Sequence, residues 1–292
     1  MADAVILGAS GHAVLNRCWN PAVHNPLQSS LLPPTTQSSR YLRVATYNIH
    51  KGVRGLGPTK RLEIHNLGLA VEAMDADIVC LQEVRRFHHS EAQHFSRTNF
   101  GALCWPNVPQ AEYLAPEGYE VAYRTNAKTK DGEHGNALLA RWPLGHIGHH
   151  DVSDHRFEQR GLLHVSVHWR GVEIHVVVVH LGLIHSSRVR QAERLAQLVI
   201  EQIPANSPVV IAGDFNDWNE KLDHILEGAG MTRASLADAD RVPTFPSLIP
   251  VLALDRVYTR GMSCQSIMVP RGGAWARLSD HLPLVVELDL AA

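Results

Sequence analysis

The sequence lacks the marks of several protein classes. Its four cysteines, Cys18, Cys80, Cys104 and Cys264, are far apart in 292 residues and form no Cys-x-x-Cys pair. This argues against a disulfide framework and favours a reducing compartment. No apolar run is long enough to cross a bilayer, and no basic start with an apolar stretch and cleavage site opens the chain. We therefore expect a cytoplasmic protein without integral membrane association.

Neither charge nor aromatic content points to one partner. The net charge is -2 with neutral histidine, so no global basic field indicates nucleic-acid binding, although a local phosphate site needs none. Aromatic residues make up only 6% of the chain, which leaves few platforms for stacking single-stranded bases. The apolar content of 45% suits a globular protein with a sizeable core.

The first 40 residues differ from the rest. Residues 4–12 suggest a strand and a glycine-rich turn, but the spacing of a dinucleotide-binding or phosphate-binding loop is absent. Four prolines and a polar run follow, which is the composition of a loop or linker. We expect residues 1–40 to form a poorly ordered extension and residues 41–292 to form one domain.

Strand patterns outnumber helix patterns after residue 40. Two of them, residues 161–169 and 172–181, are joined by Arg170-Gly171, which is a hairpin signal. Apolar helix faces are predicted after a Thr59 cap, after a Ser186 or Ser187 cap, and over residues 219–230. This mixture of hairpins and helical crossovers predicts an α/β (α+β) fold, a four-layer sandwich of two packed mixed β-sheets flanked by helices.

The stretch Gly213-Asp214-Phe215-Asn216 follows an apolar strand at residues 208–212. On an extended strand end, Asp214 and Asn216 would point the same way because side chains alternate with a period of two. A carboxylate and an amide would then face one cleft. Taken alone, the stretch is equally compatible with a turn that Asp214 caps.

Polar residues recur at the ends of predicted strands. In a sheet protein, the strand ends on one edge converge on one cleft, although a structural role is the ordinary alternative for a single residue such as Glu83 or His180. Carboxylate and amide oxygens with two histidines suit phosphoester cleavage with Mg²⁺ or Mn²⁺. The residues with this placement are Asn48, Glu83, His180, Asp214, Asn216, Asp255, Asp280 and His281.

Seven short segments resemble, in order, the motifs of the endonuclease/exonuclease/phosphatase superfamily, whose fold is DNase I-like. The resemblance covers nearly all of the chain after residue 40 and is strongest to bacterial members that begin with Tyr-Asn-Ile-His-Lys-Gly. The segments are Tyr47-Asn48-Ile49, Leu81-Gln82-Glu83-Val84, Gly135-Asn136-Ala137-Leu138, Val179-His180-Leu181, Gly213-Asp214-Phe215-Asn216, Leu254-Asp255-Arg256-Val257 and Ser279-Asp280-His281-Leu282-Pro283.

The resemblance implies a metal site and contacts to the substrate phosphate. Glu83 would be the principal ligand of Mg²⁺ or Mn²⁺, with Asn48 and Asp280 nearby as direct or water-mediated ligands. Arg85 matches an arginine that follows the metal-binding glutamate in some nucleases, and a solvated surface arginine is the alternative. Asn136 is implied as a further phosphate contact.

The resemblance also implies the catalytic roles. Asp214 would orient or deprotonate the attacking water, and Asn216 would hold that water or a phosphate oxygen. His281 would contact the scissile phosphate or act as the base, with Asp255 orienting it. His180 would donate to a non-bridging oxygen. Whether Asp214 or His281 is the base stays open.

The leading hypothesis is a monomeric, metal-dependent phosphodiesterase, a nuclease in the first instance, acting by in-line water attack. The alternatives are a phospholipid (sphingomyelinase-like) or inositol-phosphate hydrolase and a non-catalytic binding protein on the same fold. The remaining histidines show no helical His-x-x-x-His pair of a zinc site and receive no role; they include His149, His150, His164, His168 and His175.

Overall fold

A computed structural model describes residues 40–55, 57–98, 104–236 and 241–291. Of the predicted N-terminal extension, residues 1–40, all but Arg40 lie outside the described residues. Within the described ranges, no helix combines the length and the apolar character that crossing a membrane requires.

The described residues form fourteen strands and five α-helices. The strands are β1 (Leu42–Asn48), β2 (Val53–Arg54), β3 (Arg61–Leu62), β4 (Ile78–His88), β5 (Glu120–Lys128), β6 (Gly132–Ala140), β7 (Leu144–Asp151), β8 (Gly161–Trp169), β9 (Val172–His180), β10 (Val209–Asp214), β11 (Thr232–Arg233), β12 (Asp255–Arg260), β13 (Met262–Met268) and β14 (Leu284–Leu290). The helices are α1 (Ile64–Met74), α2 (His89–Thr98), α3 (Gln110–Leu114), α4 (His185–Gln202) and α5 (Asp223–Glu227).

Twelve strands build two six-stranded mixed sheets. The first has the order β13-β14-β1-β4-β6-β5 and the second has the order β11-β12-β10-β9-β8-β7, while β2 and β3 pair separately. Strands β1 and β4 are parallel, as are β9 and β10, and the chain between each pair contains a helix, α1 and α4 respectively. Parallel neighbours need such crossovers, which bring both carboxyl ends to the same edge of a sheet.

Apolar side chains of the two sheets meet in a shared core, to which Val44, Cys80 and Val176 belong. On the outer face of the first sheet, a second core contains residues of α1 and α3. Residues of α4 and α5 join the outer face of the second sheet in a third core. The predicted four-layer sandwich, with helices outside two mixed sheets, is confirmed.

The predicted hairpin is also confirmed. Strands β8 and β9 pair antiparallel up to Trp169 and Val172, and Arg170 and Gly171 form the turn between them. Both turn residues have positive φ, 54° and 77°, which gives the turn the twist that suits two antiparallel strands.

The helix boundaries depart from the predictions. Helix α1 begins at Ile64 and not after Thr59, because residues 61–62 pair with β2. Helix α5 covers only residues 223–227 of the predicted 219–230, since Glu220 has a φ of 53°, which a right-handed helix cannot accommodate. Helix α4 starts at His185, and the hydroxyl of Ser187 donates to Asp154 Oδ2 at 2.7 Å and does not cap the helix.

Candidate active site

Three of the predicted site residues lie side by side at one edge of the second sheet. Asp214, the last residue of β10, pairs in register with His180 of β9 and with Asp255 of β12. All three side chains are buried. Residues paired across adjacent strands project from the same face. One buried carboxylate is therefore flanked by an imidazole and a second carboxylate.

Asn48 connects this group to the first sheet. It ends β1, and its Nδ2 donates to Asp214 Oδ2 at 3.1 Å across the gap between the two sheets. The Ser279 hydroxyl donates to the Asn48 carbonyl at 2.7 Å. The segment that carries Asp280 and His281 is thereby tied to the end of β1.

Asp255 and His281 form a close buried pair. Asp255 Oδ2 lies 2.8 Å from His281 Nδ1 and also accepts the Thr244 hydroxyl at 2.5 Å. Burial alone would lower the pKa of His281, but the charges of Asp255 and Asp214 outweigh it and raise that pKa to about 10. His281 is therefore cationic at neutral pH, with Nδ1–H donating to Asp255.

Asp214 lies at the centre of the group. Its Oδ1 accepts the backbone N–H of Asn216 at 2.9 Å, and its Oδ2 lies 3.6 Å from His180 Nε2 and 3.7 Å from His281 Nε2. Burial raises the pKa of Asp214 to about 6, an effect that His281 opposes and the charge of Asp255 reinforces. A carboxylate with such a pKa can exchange a proton near neutral pH.

His180 is a neutral imidazole in this arrangement. Burial and then the charge of Arg160 hold the pKa of His180 well below its ordinary value, against the opposing charge of Glu83. Arg160 Nη2 donates to Glu158 Oε1 at 3.2 Å, just before β8 begins. Sequence analysis missed Arg160, because no motif residue adjoins it and only the packing of the loop brings it near His180.

Glu83 occupies a bulge in β4. Its φ is 57°, and the pairing of β4 with β6 shifts register between Leu81 and Val84. Such a bulge re-aims a side chain at a functional edge. Burial raises the pKa of Glu83, but the charge of Lys51 is the largest opposing influence, and the pKa is lowered to about 2. Lys51 Nζ lies 3.2 Å from Glu83 Oε2.

Asp280 is paired with His50, the residue that precedes Lys51. His50 Nδ1 lies 3.0 Å from Asp280 Oδ1. Burial raises the pKa of Asp280, but the hydrogen bond and charge of His50 hold it below its usual range. His50 and Lys51 both have positive φ, 45° and 62°, so one tight turn presents a nitrogen group to each carboxylate. Both belong to the Tyr-Asn-Ile-His-Lys-Gly segment, and this motif is the sequence feature that could have identified them as site residues.

The residues around this turn fit a hard divalent cation. Glu83 and Asp280 offer ionised carboxylates, and the adjacent residues Lys51 and His50 contact one carboxylate each, at 3.2 and 3.0 Å. Asn48 Oδ1 accepts the His50 backbone N–H at 3.1 Å and has a second lone pair. Oxygen donors of this kind suit Mg²⁺ or Mn²⁺.

A second group also has its possible ligand atoms close together. Atoms of Asp214, Asp255 and His281 lie within 4.8 Å of one another. His281 Nδ1 is hydrogen bonded to Asp255, so the chemistry of this group suits proton handling as well as the binding of a cation.

Asn216 is placed differently from expectation. Asn216 lies beyond the end of β10 with a φ of 50°, and its Nδ2 donates to the Leu181 carbonyl at 2.9 Å, so the expectation of a shared strand face with Asp214 was wrong. Asp214 does cap the turn that contains Asn216, as the alternative interpretation held.

Asn136 and Arg85 are both buried and already have partners. The Asn136 amide donates to the carbonyls of Gly161 and Val178, at 2.9 and 3.2 Å, and thereby joins the two sheets. Arg85 is ion-paired with Glu91 and is not the solvated surface residue of the alternative interpretation. Their contacts to a substrate phosphate stay predictions.

The model of the endonuclease/exonuclease/phosphatase family matches residues 45–281. The chain belongs to this family. Its members include nucleases, phosphodiesterases and phosphatases, generally hydrolyse phosphoester bonds and commonly use a divalent metal.

Individual relatives agree with this assignment. The chain is 38% identical over 264 residues to the Escherichia coli K12 protein YbhP, covering 89% of this chain and all of that one. An endonuclease/exonuclease/phosphatase structure from Beutenbergia cavernae superposes with a TM-score of 0.68 at 22% identity, covering 87% of this chain and 72% of the other. D. rerio TDP2 complexed with single strand DNA product has a TM-score of 0.59 at 16% identity, with coverages of 85% and 99%. At these identities, the two structures establish the DNase I-like fold alone.

Proposed function

We propose that the protein is a divalent-metal-dependent phosphodiester hydrolase that cleaves its substrate by in-line attack of an activated water. The observation that carries the proposal is the buried Asp255–His281 pair facing Asp214, together with the Glu83 and Asp280 carboxylates that Lys51 and His50 contact. A non-catalytic binding protein has no physical need to bury these charges together.

The cation would be held by Glu83 and Asp280, with Asn48 as a direct or water-mediated ligand. Mg²⁺ or Mn²⁺ bound there would neutralise charge on the phosphate and its leaving oxygen. The chain contributes ionised carboxylates at this position, since the pKa of Glu83 is lowered to about 2.

The proton-handling roles divide between Asp214 and His281. Asp214, with its pKa raised to about 6, is suited to accept a proton from the attacking water. His281 keeps its proton at neutral pH, because its pKa is raised to about 10, and is suited to donate from Nε2 to a phosphate oxygen. We therefore assign the base to Asp214. His180, held neutral, would donate a second hydrogen bond to the same phosphate.

The first candidate substrate is a nucleic acid. The TDP2 structure was obtained with a single-strand DNA product, and the same fold here carries the cationic side chains of Lys51 and Arg160 near the predicted phosphate site. Contacts to several phosphates would make activity fall steeply as salt rises, because each contact releases condensed counterions. Monomeric state and cytoplasmic location accompany this proposal as predictions.

A second candidate, a phospholipid headgroup, is favoured by the loops around the site. Leu248, Ile249 and Val251 are 69%, 73% and 65% exposed, just ahead of Asp255. Ser247 N, adjoining this loop, donates to the Asp280 carbonyl at 2.7 Å. Further exposed apolar side chains follow the other site strands: Leu183, Ile184 and Trp218. An apolar rim of this kind can contact acyl chains while the headgroup enters the site.

A substrate panel with Mg²⁺ tests both candidates. It comprises duplex DNA, single strands, abasic DNA, RNA, inositol phosphates and sphingomyelin or phosphatidylglycerol vesicles, each at low and high salt. Salt-sensitive cleavage of nucleic acid supports the first candidate. Salt-insensitive cleavage of lipid supports the second candidate instead. In that case a Leu248→Ser, Ile249→Ser double variant should lose lipid cleavage and still hydrolyse a small bis-aryl phosphodiester. Turnover of no phosphodiester would overturn the proposal.

A further inference from the structure

A cluster of histidines lies on the second sheet, away from the site described above. Leu163 and Val165 of β8 and Ile174 and Val176 of β9 face the shared core between the sheets. The alternation of side chains therefore directs the residues between them, His164 and His175, to the outer face. His175 is five residues before His180 on β9, which separates the cluster from the site by about 17 Å.

Four imidazoles meet at this position. The ring centre of His164 lies 5.0 Å from that of His146, 6.2 Å from that of His150 and 5.1 Å from that of His175. His146 and His150 belong to the edge strand β7, and Gly148 between them pairs with His164. We call these four residues the histidine cluster.

Gly148 leaves a gap into which both β7 imidazoles lean. A Cβ at residue 148 would lie 2.7 Å from His146 Nε2 and 3.2 Å from His150 Nε2. Two ring nitrogens therefore approach the position that the Cβ of any residue other than glycine would fill. The spacing His146-x-Gly148-x-His150 is the sequence signal for this arrangement, and it lies on a strand and not on a helix.

Several nitrogens of the cluster are buried without a hydrogen-bond partner among the described residues. His164 and His175 are 2% and 7% exposed. Their Nε2 and Nδ1 atoms, respectively, lie 2.9 Å apart, while His164 Nδ1, His175 Nε2 and His150 Nε2 have no partner in the described part of the chain. Leaving such atoms unsatisfied is costly, so each calls for a ligand or another explanation.

We propose that the histidine cluster is a second metal site, separate from the catalytic cation, that binds a borderline divalent transition-metal ion such as Zn²⁺. His146 and His150 ligate through Nε2 and His164 through Nδ1, and a water completes the coordination. His175 is a positioning residue that holds the His164 ring.

The tautomer that this site requires is compatible with the observed contact. When His164 Nε2–H donates to His175 Nδ1, the lone pair of His164 Nδ1 is free for a metal. Metal-binding histidines commonly donate their other ring N–H in this way, which fixes the ring orientation. Burial and the neighbouring histidines lower the pKa of His164 to about 4, and burial lowers those of His150 and His175, so these three rings are neutral at pH 7.

The ring centres have the spacing of imidazoles around one ion, but their ligand nitrogens are not gathered within 4.8 Å, as those of Asp214, Asp255 and His281 are among the described residues. With Zn–N bonds of about 2.1 Å, imidazoles around a tetrahedral ion have ring centres roughly 5 Å apart. The ring centre of His164 lies 5.0 and 6.2 Å from those of His146 and His150, and metal binding at this position requires the rings to rotate. His146 is exposed, which provides a path of entry for the ion.

Ligand chemistry keeps the two metal sites distinct. Imidazole nitrogens select Zn²⁺, Ni²⁺ or Cu²⁺, whereas the carboxylate and amide oxygens near Lys51 suit Mg²⁺ or Mn²⁺. An ion bound by the histidine cluster would tie the edge strand β7 to β8 and stabilise the folded chain by linkage.

The test is Zn²⁺ binding to the full chain in the presence of excess Mg²⁺. Calorimetry measures the affinity and the number of ions bound, and X-ray absorption at one equivalent of Zn²⁺ identifies the coordinating atoms. We expect one ion per chain with ring nitrogens at about 2.0–2.1 Å. His150→Asn removes a ligand, and Gly148→Val fills the gap while keeping all four imidazoles. Each should weaken Zn²⁺ binding at least tenfold, and His175→Asn should weaken it about 10- to 100-fold.

His168→Asn is the matched control, because this exposed histidine lies on the same face of β8 outside the cluster. It should bind Zn²⁺ as the wild type does. Equal affinity in the wild type, Gly148→Val and His150→Asn would overturn the proposal. So would the absence of a Zn²⁺ site in the presence of Mg²⁺, or an absorption spectrum with an oxygen-only shell. Phosphodiesterase turnover with Mg²⁺ should be the same in these variants, so failure here leaves the proposed function intact.

Discussion

His281 Nδ1 lies 2.8 Å from Asp255 Oδ2, and both side chains are buried. The pair ties the imidazole to the first residue of β12 and leaves Nε2 on the side of Asp214, 3.7 Å from its Oδ2. The carboxylate thereby fixes both the orientation and the charge of the imidazole.

We expect Asp255→Asn to lower kcat by about 100- to 10,000-fold with a small change in KM. The substitution removes the largest influence that raises the pKa of His281, so the pKa falls and the imidazole also loses the acceptor that orients it. Steady-state turnover of a bis-aryl phosphodiester with Mg²⁺ measures the effect. Asp151→Asn, an exposed acid on β7, is the control. Near-normal turnover by Asp255→Asn would show that catalysis does not depend on Asp255 orienting and charging His281.

Lys51 should compete with the cation for Glu83. Lys51→Met leaves a mostly buried carboxylate unpaired, so we expect the metal-free chain to lose about 1–3 kcal/mol of unfolding free energy. Because Mg²⁺ then meets no competing ammonium, it should raise the Tm of Lys51→Met by more than it raises that of the wild type. Thermal unfolding in EDTA and in Mg²⁺ measures both quantities.

Lys60→Met is the matched control for that experiment, since it breaks the Lys60–Glu91 ion pair of 2.8 Å away from the proposed metal ligands. It should lower the Tm by the same amount with and without Mg²⁺. An equal or smaller Mg²⁺ response in Lys51→Met than in the wild type would contradict competition at Glu83.

Glu72 on α1 should make stability depend on pH. Burial raises its pKa to about 7 in the folded chain. Since the folded state then holds its proton more tightly than the unfolded state, stability is lost as pH rises from the unfolded pKa of about 4.5 to about 7. We expect Glu72→Gln to equal the wild type near pH 4.5 and to exceed it increasingly up to pH 8 in urea unfolding. Glu193→Gln, exposed on α4, is the control, and an unchanging difference for Glu72→Gln would refute the expectation.

Periodicity predicted the parts of the site that depend on local strand geometry. His180 and Asp214 end two apolar strands joined by one helix, so they had to reach the same sheet edge once those strands paired in parallel. The hairpin at Arg170-Gly171 was predicted for the same reason, because it depends only on the two turn residues and the strands beside them. Strand alternation failed at Asn216, because the strand ends two residues earlier and a left-handed turn follows.

Local sequence patterns do not predict the contacts between the two sheets. Asn48 reaches Asp214 only because the two sheets pack face to face, and Arg160 acts on His180 through the fold of a loop. The bulge at Glu83 depends on its register with β6. The family resemblance named Glu83 and Asp280 as ligands, but the pairing of Lys51 and His50 with them became visible only in three dimensions.

The most direct test of the account is the turnover of a bis-aryl phosphodiester by the wild type and by Asp214→Asn, each in Mg²⁺, in Mn²⁺ and in EDTA. We expect turnover by the wild type with either metal, none in EDTA, recovery when metal is restored, and a loss of at least about 100-fold in Asp214→Asn. Undiminished wild-type turnover in EDTA, or near-normal turnover by Asp214→Asn with metal, would contradict it.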